Sequence, residues 1–204
     1  MIPHRGGRPR IVTRGHELEA IIRRCTWFLD VLSALDDARL PDAWVGAGIL
    51  RTVVWDELFG TGFDPQAVLD VDVAFFDPDD CSPQREARAV AALRVRRTGV
   101  AWDATNQAAV HLSYQQEFGL EVPALLSTLD GITTWPETAT AVAVRWDAAR
   151  VLEVAAPLGL DDLLDGVWRW NPRRVPWELY QQRLIAKRPL ARWPGLRIVG
   201  DGPT

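Results

Sequence analysis

The sequence has few features of a secreted or membrane protein. Only two cysteines occur in its 204 residues, Cys25 and Cys81, and they form no C-x-x-C pair, so no disulfide framework is indicated. No long uncharged apolar run is present that could span a membrane. The first residues, MIPHRGGRPR, lack the apolar segment of a secretion signal and predict a flexible basic tail over residues 1–15. We therefore expect a cytoplasmic protein without a membrane partner.

Charge is unevenly distributed along the chain. The formal net charge of −4 argues weakly against general nucleic-acid binding. Residues 169–197 nevertheless carry eight basic side chains and one acid, Glu178, which gives them a formal charge of +7 and leaves −11 for the remainder. Such a stretch is typical either of a solvated basic face or of a clamp for phosphate groups, and both interpretations stay open.

Apolar periodicity predicts a domain that mixes helices and strands. Three-and-four spacing and capping signals indicate helices at residues 16–35, 49–59, 82–93, 106–118, 161–168 and 177–187. Alternation and composition indicate strands at residues 68–76, 99–104, 138–146 and 151–155. We expect an α+β (α/β) fold in which a small mixed β-sheet is flanked by helices. The core would cover residues 16–157, and residues 158–204 would form a mostly helical C-terminal extension packed on it.

Two acidic side chains lie in the most informative segment, residues 68–76. Strand side chains alternate between faces, so Asp70 and Asp72 should project together while their apolar neighbours enter the core. Carboxylates so placed lie roughly 7 Å apart, which is far enough to hold one or two hard cations. Magnesium favours such oxygen ligands and usually bridges them to substrate phosphates. Solvated acids on an open sheet face would give the same pattern, so the context must decide.

A glycine-containing turn lies upstream of the acidic strand. Gly48 stands where a short apolar run turns into a predicted helix, and amides at such a helix start can bind phosphate. Arg51 follows one turn later and could make a forked contact with the same anion. Many glycines merely permit a turn, so this motif has an ordinary structural interpretation as well.

Further polar candidates lie downstream. Asp103 is centred in a short predicted strand and could be a third carboxylate or a cap for the next helix. Asn106 and Gln107 could contact a base or sugar, although capping residues look the same. His111 is either a substrate contact or an ordinary helix histidine. Arg145 alternates with apolar residues on a predicted strand, and we expect it to face the carboxylates as a phosphate ligand or an ion-pair partner.

The order of these features resembles the nucleotidyltransferase superfamily of the DNA polymerase beta type. That order is a glycine turn opening a helix, an apolar-Asp-apolar-Asp-apolar strand, and a third acid on a later strand. Residues 46–51, Gly-Ala-Gly-Ile-Leu-Arg, look like the glycine-glycine-x-apolar-arginine signature of the poly(A)-polymerase-like members, with Ala47 at the first glycine position. From about residue 44 to residue 193 the chain is also similar to a bacterial group of nucleotidyltransferase family proteins. The landmarks of that group include residues 48–51, 54–56, 70–73, 106–108, 111, 135–141 (Trp-Pro-Glu-Thr-Ala-Thr-Ala) and 156–163.

The resemblance implies a magnesium-dependent enzyme, with Mn²⁺ as an alternative to Mg²⁺. It would transfer a nucleoside monophosphate from a nucleoside triphosphate to an acceptor hydroxyl and release pyrophosphate. Asp70, Asp72 and Asp103 would hold the metal, and Asp103 would help to deprotonate the acceptor. The residues implied to contact the nucleotide are Gly48, Arg51, Asn106, Gln107, His111 and Arg145. The acidic composition outside the basic stretch favours a small-molecule acceptor over nucleic acid, and nothing in the sequence indicates the oligomeric state.

Other interpretations stay open. A protein that keeps the fold and binds nucleotide without turnover is suggested by Ala47 in the glycine turn and by Asp103, where the group usually has glutamate. A phosphohydrolase with Asp70 as nucleophile is disfavoured, because haloacid-dehalogenase-type phosphatases need a glycine and a hydroxyl residue where Val73 and Ala74 stand here. Glu137 could orient a basic partner such as Arg145, or it could be structural.

Overall fold

The structure is a computed structural model that describes residues 8–119, 121–200 and 202. Its helices are α1 (Arg8–Arg24), α2 (Thr26–Ala38), α3 (Ala47–Leu58), α4 (Pro83–Arg96), α5 (Val110–Phe118), α6 (Thr128–Ile132), α7 (Asp161–Leu164), α8 (Trp177–Lys187) and α9 (Pro189–Arg192). Its strands are β1 (Trp44–Gly46), β2 (Val71–Phe75), β3 (Trp102–Asn106), β4 (Ala143–Trp146), β5 (Leu152–Ala155), β6 (Val167–Arg169) and β7 (Arg197–Val199). Short 3₁₀ turns occur at Pro65–Ala67 and Thr138–Thr140.

The first five strands form one mixed sheet in the order β3-β2-β1-β4-β5. β2 and β3 run parallel, whereas the β1–β2, β1–β4 and β4–β5 pairs are antiparallel. Helices flank this sheet: α2 contacts α4 and β4, α4 contacts β3, and α3 contacts β1 and β2. A mixed sheet flanked by helices is the fold class that the sequence predicted, and it is confirmed.

The core is built from the apolar faces of these elements. Fully buried side chains include Phe28 and Leu32 of α2, Val45 of β1, Phe75 of β2 and Leu93 of α4. Burying each such side chain contributes about 1.5–3 kcal/mol relative to leaving it in water. In the sheet, β2 lies between β1 and β3, and the acidic residues described below lie on or next to β2 and β3.

The N-terminal part of the chain differs from the prediction in two places. Helix α1 begins at Arg8, inside the segment predicted as a flexible tail, while residues 1–7 lie outside the described residues. The single helix predicted over residues 16–35 is two helices, because the backbone leaves helical geometry at Cys25 (φ −93°, ψ 87°). Apolar spacing continues in register across that break, so periodicity alone does not detect it.

The C-terminal segment contains strands as well as helices. β6 and β7 form a parallel pair in which Val167 is in register with Arg197. The helix predicted over residues 161–168 ends at Leu164, and strand β6 begins at Val167. Helix α8 has the predicted bounds. Trp168, Tyr180 and Trp193 are buried in the same apolar cluster as the sheet, so this segment packs on the core. No helix in the described part of the chain is long and apolar enough to cross a membrane.

Candidate active site

The acidic strand β2 meets the start of helix α3 at Asp72. Oδ2 of Asp72 accepts a hydrogen bond from the backbone N–H of Gly48, with a donor–acceptor distance of 3.1 Å. A Cβ atom on residue 48 would lie 3.2 Å from that oxygen, so glycine permits the close approach. We predicted that the Gly48 amide donates a hydrogen bond to a phosphate. In the structure it donates this hydrogen bond to the Asp72 carboxylate instead.

The first residue of α3 has an unusual backbone conformation. Ala47 has a φ of 52°, in the left-handed region that glycine adopts more easily than residues with a side chain. This is the position at which the signature of the poly(A)-polymerase-like members has its first glycine. The alanine therefore stands at a position where a side chain causes backbone strain.

Asp70 and Asp103 lie beside Asp72. In the parallel β2–β3 pair, Asp72 is in register with Asp103, and Asp70 immediately precedes β2 on the same chain. Both flanking acids are exposed, and neither makes a hydrogen bond or ion pair with the described residues. The alternative role of Asp103 as a helix cap is wrong, because α5 begins at Val110 and its N-cap is Ala109. We refer to Asp70, Asp72 and Asp103 as the acidic wall, since all three line one cavity.

The environment of Asp72 disfavours its charged form. Burial raises the pKa of Asp72 to about 6, and the neighbouring Asp70 carboxylate acts in the same direction. The hydrogen bond from Gly48 opposes the rise, Asp103 adds to it, and the positive charge of Lys187 opposes it. Three like charges thus crowd one side of the cavity, and a bound cation would relieve that crowding.

The donor set suits a divalent cation that is completed by a substrate. Carboxylate oxygens are the ligands that Mg²⁺ and Mn²⁺ prefer. Among the described residues, no three His, Cys, Asp or Glu side chains are close enough to form a preassembled metal site. Magnesium usually keeps several waters and binds through one or two carboxylates plus substrate phosphates, so a complete protein cage is not required. The carboxylates of the acidic wall are ligands of the type that such an ion takes, with substrate phosphates and water as the remaining ligands.

Three cations from the C-terminal segment line the same cavity, whose volume is about 420 Å³. Arg183 and Lys187 lie one turn apart on α8, and Arg192 ends α9. We call this group the basic wall. Our site assignment from the sequence omitted all three residues, although the +7 stretch was the signal that contained them. Charge counting could not tell which basic residues of that stretch face a cavity.

Buried carboxylates hold two of the three cations. Nε of Arg183 donates to Oε1 of Glu137 at 3.0 Å, and Glu137 is only 1% exposed. Arg192 makes a two-pronged pair with Asp56 of α3, with donor–acceptor distances of 3.2 and 2.7 Å. The indole N–H of Trp193 donates to the same Asp56 carboxylate at 2.7 Å. These pairs fix the arginines of the C-terminal segment against the core.

Arg51 lies in a box of aromatic rings at the same cavity. Its guanidinium carbon is 4.9 Å from the ring centroid of Trp168 and 5.5 and 5.6 Å from those of Trp55 and Trp193. The residue is 7% exposed, and its buried Nε has no hydrogen-bond partner among the described atoms. Burial lowers the pKa of Arg51, and the charge of Glu137 opposes that shift. Arg51 is therefore a buried cation that contacts aromatic rings and forms no ion pair with a carboxylate among the described residues.

Two downstream candidates lie away from the cavity. Asn106 is fully buried, its amide donates to the carbonyls of Asp77 and Asp80, and its side-chain oxygen accepts from two backbone amides. The predicted nucleotide contact at Asn106 is therefore wrong, because the loop it organises uses its hydrogen-bonding groups. His111 lies near the start of α5 and does not line the cavity, whereas Gln107 is buried and does line it.

Arg145 does not face the acidic wall. It pairs with Glu153 across the β4–β5 ladder at 2.5 Å and with Asp42 at 2.9 Å, and its guanidinium carbon lies 4.0 Å from the ring centroid of Trp44. The expectation that Arg145 contacts phosphate beside the carboxylates is wrong. Alternation along a strand assigns a side chain to one of two faces but does not say which face is open. The suggested pairing of Glu137 with Arg145 is also wrong, because Glu137 pairs with Arg183.

Comparisons with known proteins assign the chain to a family. A family model described as Nucleotidyltransferase matches residues 33–198, and the chain belongs to that nucleotidyltransferase family. A solved structure described as revealing a CCA-adding enzyme head domain is 28% identical, with a TM-score of 0.77, and the match covers 91% of this chain and 96% of that chain. The comparison with curated proteins gave no match. By family and fold the protein is a nucleotidyltransferase, and a nucleoside triphosphate is its implied substrate.

Proposed function

We propose that this protein is a magnesium-dependent enzyme that transfers a nucleoside monophosphate from a nucleoside triphosphate to an acceptor hydroxyl and releases pyrophosphate. The observation that carries the proposal is that one cavity is lined both by the acidic wall and by the basic wall. A magnesium–triphosphate complex carries both kinds of charge, so it matches such a cavity better than a simple anion or cation does.

The proposed roles follow from the environment of each residue. Asp70 and Asp72 hold the magnesium ion, which when bound neutralises charge on the phosphates. Arg51, a buried cation without a paired carboxylate, supports a phosphate group at the cavity. The acceptor oxygen forms a bond to the α-phosphorus, the bond from that phosphorus to the oxygen bridging to the β-phosphorus breaks, and pyrophosphate leaves. Asp103, which is exposed and unpaired among the described residues, accepts the proton of the acceptor hydroxyl.

The acceptor that we propose is a small molecule. The formal net charge of −4 supports this choice, because it disfavours general binding of nucleic acid. The similarity to a CCA-adding enzyme head domain supports a nucleic-acid acceptor instead, and a screen with both kinds of acceptor separates the two.

Labelled-product analysis tests the proposed reaction. The purified protein is incubated with each α-labelled nucleoside triphosphate, Mg²⁺, and either a small-molecule cell extract or total RNA. We expect label transfer and pyrophosphate release that need Mg²⁺. The D72N variant should lower transfer by at least about 100-fold, because a metal-holding carboxylate and its electrostatic contribution are lost together.

The matched control is D79N, which removes the same charge from an exposed loop residue away from the cavity. It should leave transfer within twofold of wild type. Undiminished transfer by D72N would remove the proposed chemistry.

A second candidate function is a nucleotide-binding protein that does not turn over. Two observations favour it: the Gly48 amide is already bonded to Asp72, and Ala47 stands in a left-handed turn position. This candidate predicts that nucleoside triphosphates raise the melting temperature without forming product. Pyrophosphate release with any acceptor excludes it.

A further inference from the structure

Lys187 is the single lysine of a chain that contains 23 basic residues in total. All the others are arginines, on the surface and in the core alike. The one lysine is the last residue of α8, and it lines the cavity shared by the acidic and basic walls. The residue type and its position together suggest a role that arginine does not fill.

The three members of the basic wall differ in their partners. Arg183 is paired with Glu137 and Arg192 with Asp56, so part of their hydrogen-bonding capacity serves the fold. Lys187 is exposed and makes no hydrogen bond or ion pair with the described residues. Its charge nevertheless acts on Asp72, which places it within electrostatic reach of the acidic wall. Lys187 is therefore the member of the wall whose donors are available to a ligand.

A cation at this position also has an ordinary structural explanation. Positive side chains near a helix C-terminus interact favourably with the helix dipole. That effect does not depend on which way the side chain points, and it acts equally on an arginine. Spacing along the helix does specify a direction: Arg183 and Lys187 are four residues apart and lie on one face of α8. That face lines the cavity, whereas an exposed cation of the same stretch, Arg173, does not.

We propose that Lys187 binds the β- and γ-phosphates of the nucleoside triphosphate, between the arginines that Glu137 and Asp56 fix in place. This inference rests on the proposed function and names the part of the substrate that the C-terminal segment recognises. An ammonium group is a compact charge with three donors on a flexible stem, so it can follow a phosphate chain that becomes free pyrophosphate. Two fixed arginines and one adaptable lysine distinguish a triphosphate from a monophosphate.

Binding measurements on three variants test the assignment. Calorimetric titrations of the wild type, K187A and K187R are made with inorganic tripolyphosphate, a nucleoside triphosphate and the corresponding monophosphate. R173A is the matched control, since it removes one positive charge from the same stretch outside the cavity. We expect K187A to weaken tripolyphosphate and triphosphate binding about 10-fold or more, K187R to weaken it less, and R173A to change it less than twofold. Monophosphate binding should change less than twofold in every variant.

The single lysine permits a second, chemical measurement on the unmodified chain. An amine-acetylating reagent can modify only Lys187 and the α-amino group, so the α-amino group serves as an internal reference in peptide mass spectrometry. Tripolyphosphate should slow acetylation of Lys187 several-fold relative to that reference, and the monophosphate should not.

Three outcomes overturn the assignment. They are tripolyphosphate binding by K187A at wild-type strength, an equal loss of monophosphate affinity in K187A, or no protection of Lys187 by tripolyphosphate. The assignment can be separated from the reaction itself. If no acceptor is ever labelled but tripolyphosphate binding depends on Lys187, the transfer chemistry fails and the phosphate site stands.

Discussion

The acidic and basic walls of the cavity are built in contrasting ways. Asp70 and Asp103 have no ion-pair partner among the described residues, and Asp72 bonds only to a backbone amide. In the basic wall, Arg183 and Arg192 are each held by a carboxylate that is almost fully buried. The acids come from neighbouring strands of one sheet, whereas the cations come from a segment 80 or more residues later in the chain.

The difference shows how each wall gets its shape. Sheet register fixes Asp72 beside Asp103 through backbone hydrogen bonds, so the acidic wall needs no side-chain pairing and keeps its charge for a ligand. The basic wall lies on short helices α8 and α9, which have no ladder to fix them. Ion pairs with the buried carboxylates of Glu137 and Asp56 supply the missing constraint. The two walls should therefore respond in opposite ways to the loss of a carboxylate.

The largest effect on stability should come from Glu137. Replacing it by alanine leaves Arg183 without its partner and removes the charge that best offsets the buried Arg51. We expect the free energy of unfolding to fall by about 3–5 kcal/mol, because the buried charge of Arg51 then loses its main compensating charge. Urea denaturation at neutral pH measures this change.

The control for Glu137 is Asp30, whose pair with Arg97 is open to solvent because the Asp30 side chain is 64% exposed. Replacing Asp30 by alanine should cost less than about 1 kcal/mol. Equal losses in the two variants would show that Glu137 does not fix the basic wall in the way described.

The acidic wall was the more predictable of the two. Alternation along β2 was a local signal, and it correctly placed Asp70 and Asp72 at one cavity. The order of elements also suggested that Asp103 would join them. The basic wall depends on contacts between residues far apart in the chain, such as Arg192 with Asp56, and no local pattern encodes such contacts.

The same limit explains the errors at single residues. The aromatic box around Arg51 could not be predicted, because Trp168 and Trp193 reach it from the C-terminal segment. Asn106 was assigned to the site as a polar residue at the start of a predicted helix, and Arg145 by its alternation on a predicted strand. Neither pattern shows which loop or sheet face lies beside the side chain. The sequence patterns did not reveal strands β6 and β7. Each strand has only three residues, and helices α8 and α9 separate the two strands in the sequence.

A smaller effect is expected from Asp72, and its sign is opposite to that of Glu137. The pKa of Asp72 is about 6 in the folded protein, above its ordinary value near 4. Between these two pH values the folded protein binds more protons at this site than the unfolded chain does, so stability falls as the pH rises. D72N removes this titration. Without metal, it should be more stable than wild type by up to about 3 kcal/mol at pH 7 and by little at pH 4.

Urea denaturation of both proteins in a chelator, across pH 4 to 8, gives the difference curve. D79N is again the control, since its exposed carboxylate should give a difference that does not vary with pH. A flat curve for D72N would mean that the acidic wall carries no electrostatic strain. In that case D72N would lose transfer activity without the gain in stability expected above.

The smallest effects should come from Arg145, which has the charge of the basic wall but lies outside it. Replacing Arg145 by alanine removes its partly exposed pairs with Asp42 and Glu153 and its stacking on the buried Trp44. We expect a loss of about 1 kcal/mol in the free energy of unfolding and a change of less than twofold in kcat/KM for the triphosphate. The comparison variant is R183A, which removes the same charge from the basic wall and should lower kcat/KM about 10-fold or more. If both variants lowered kcat/KM alike, net charge rather than position at the cavity would govern triphosphate use, because the two arginines differ in location and not in charge.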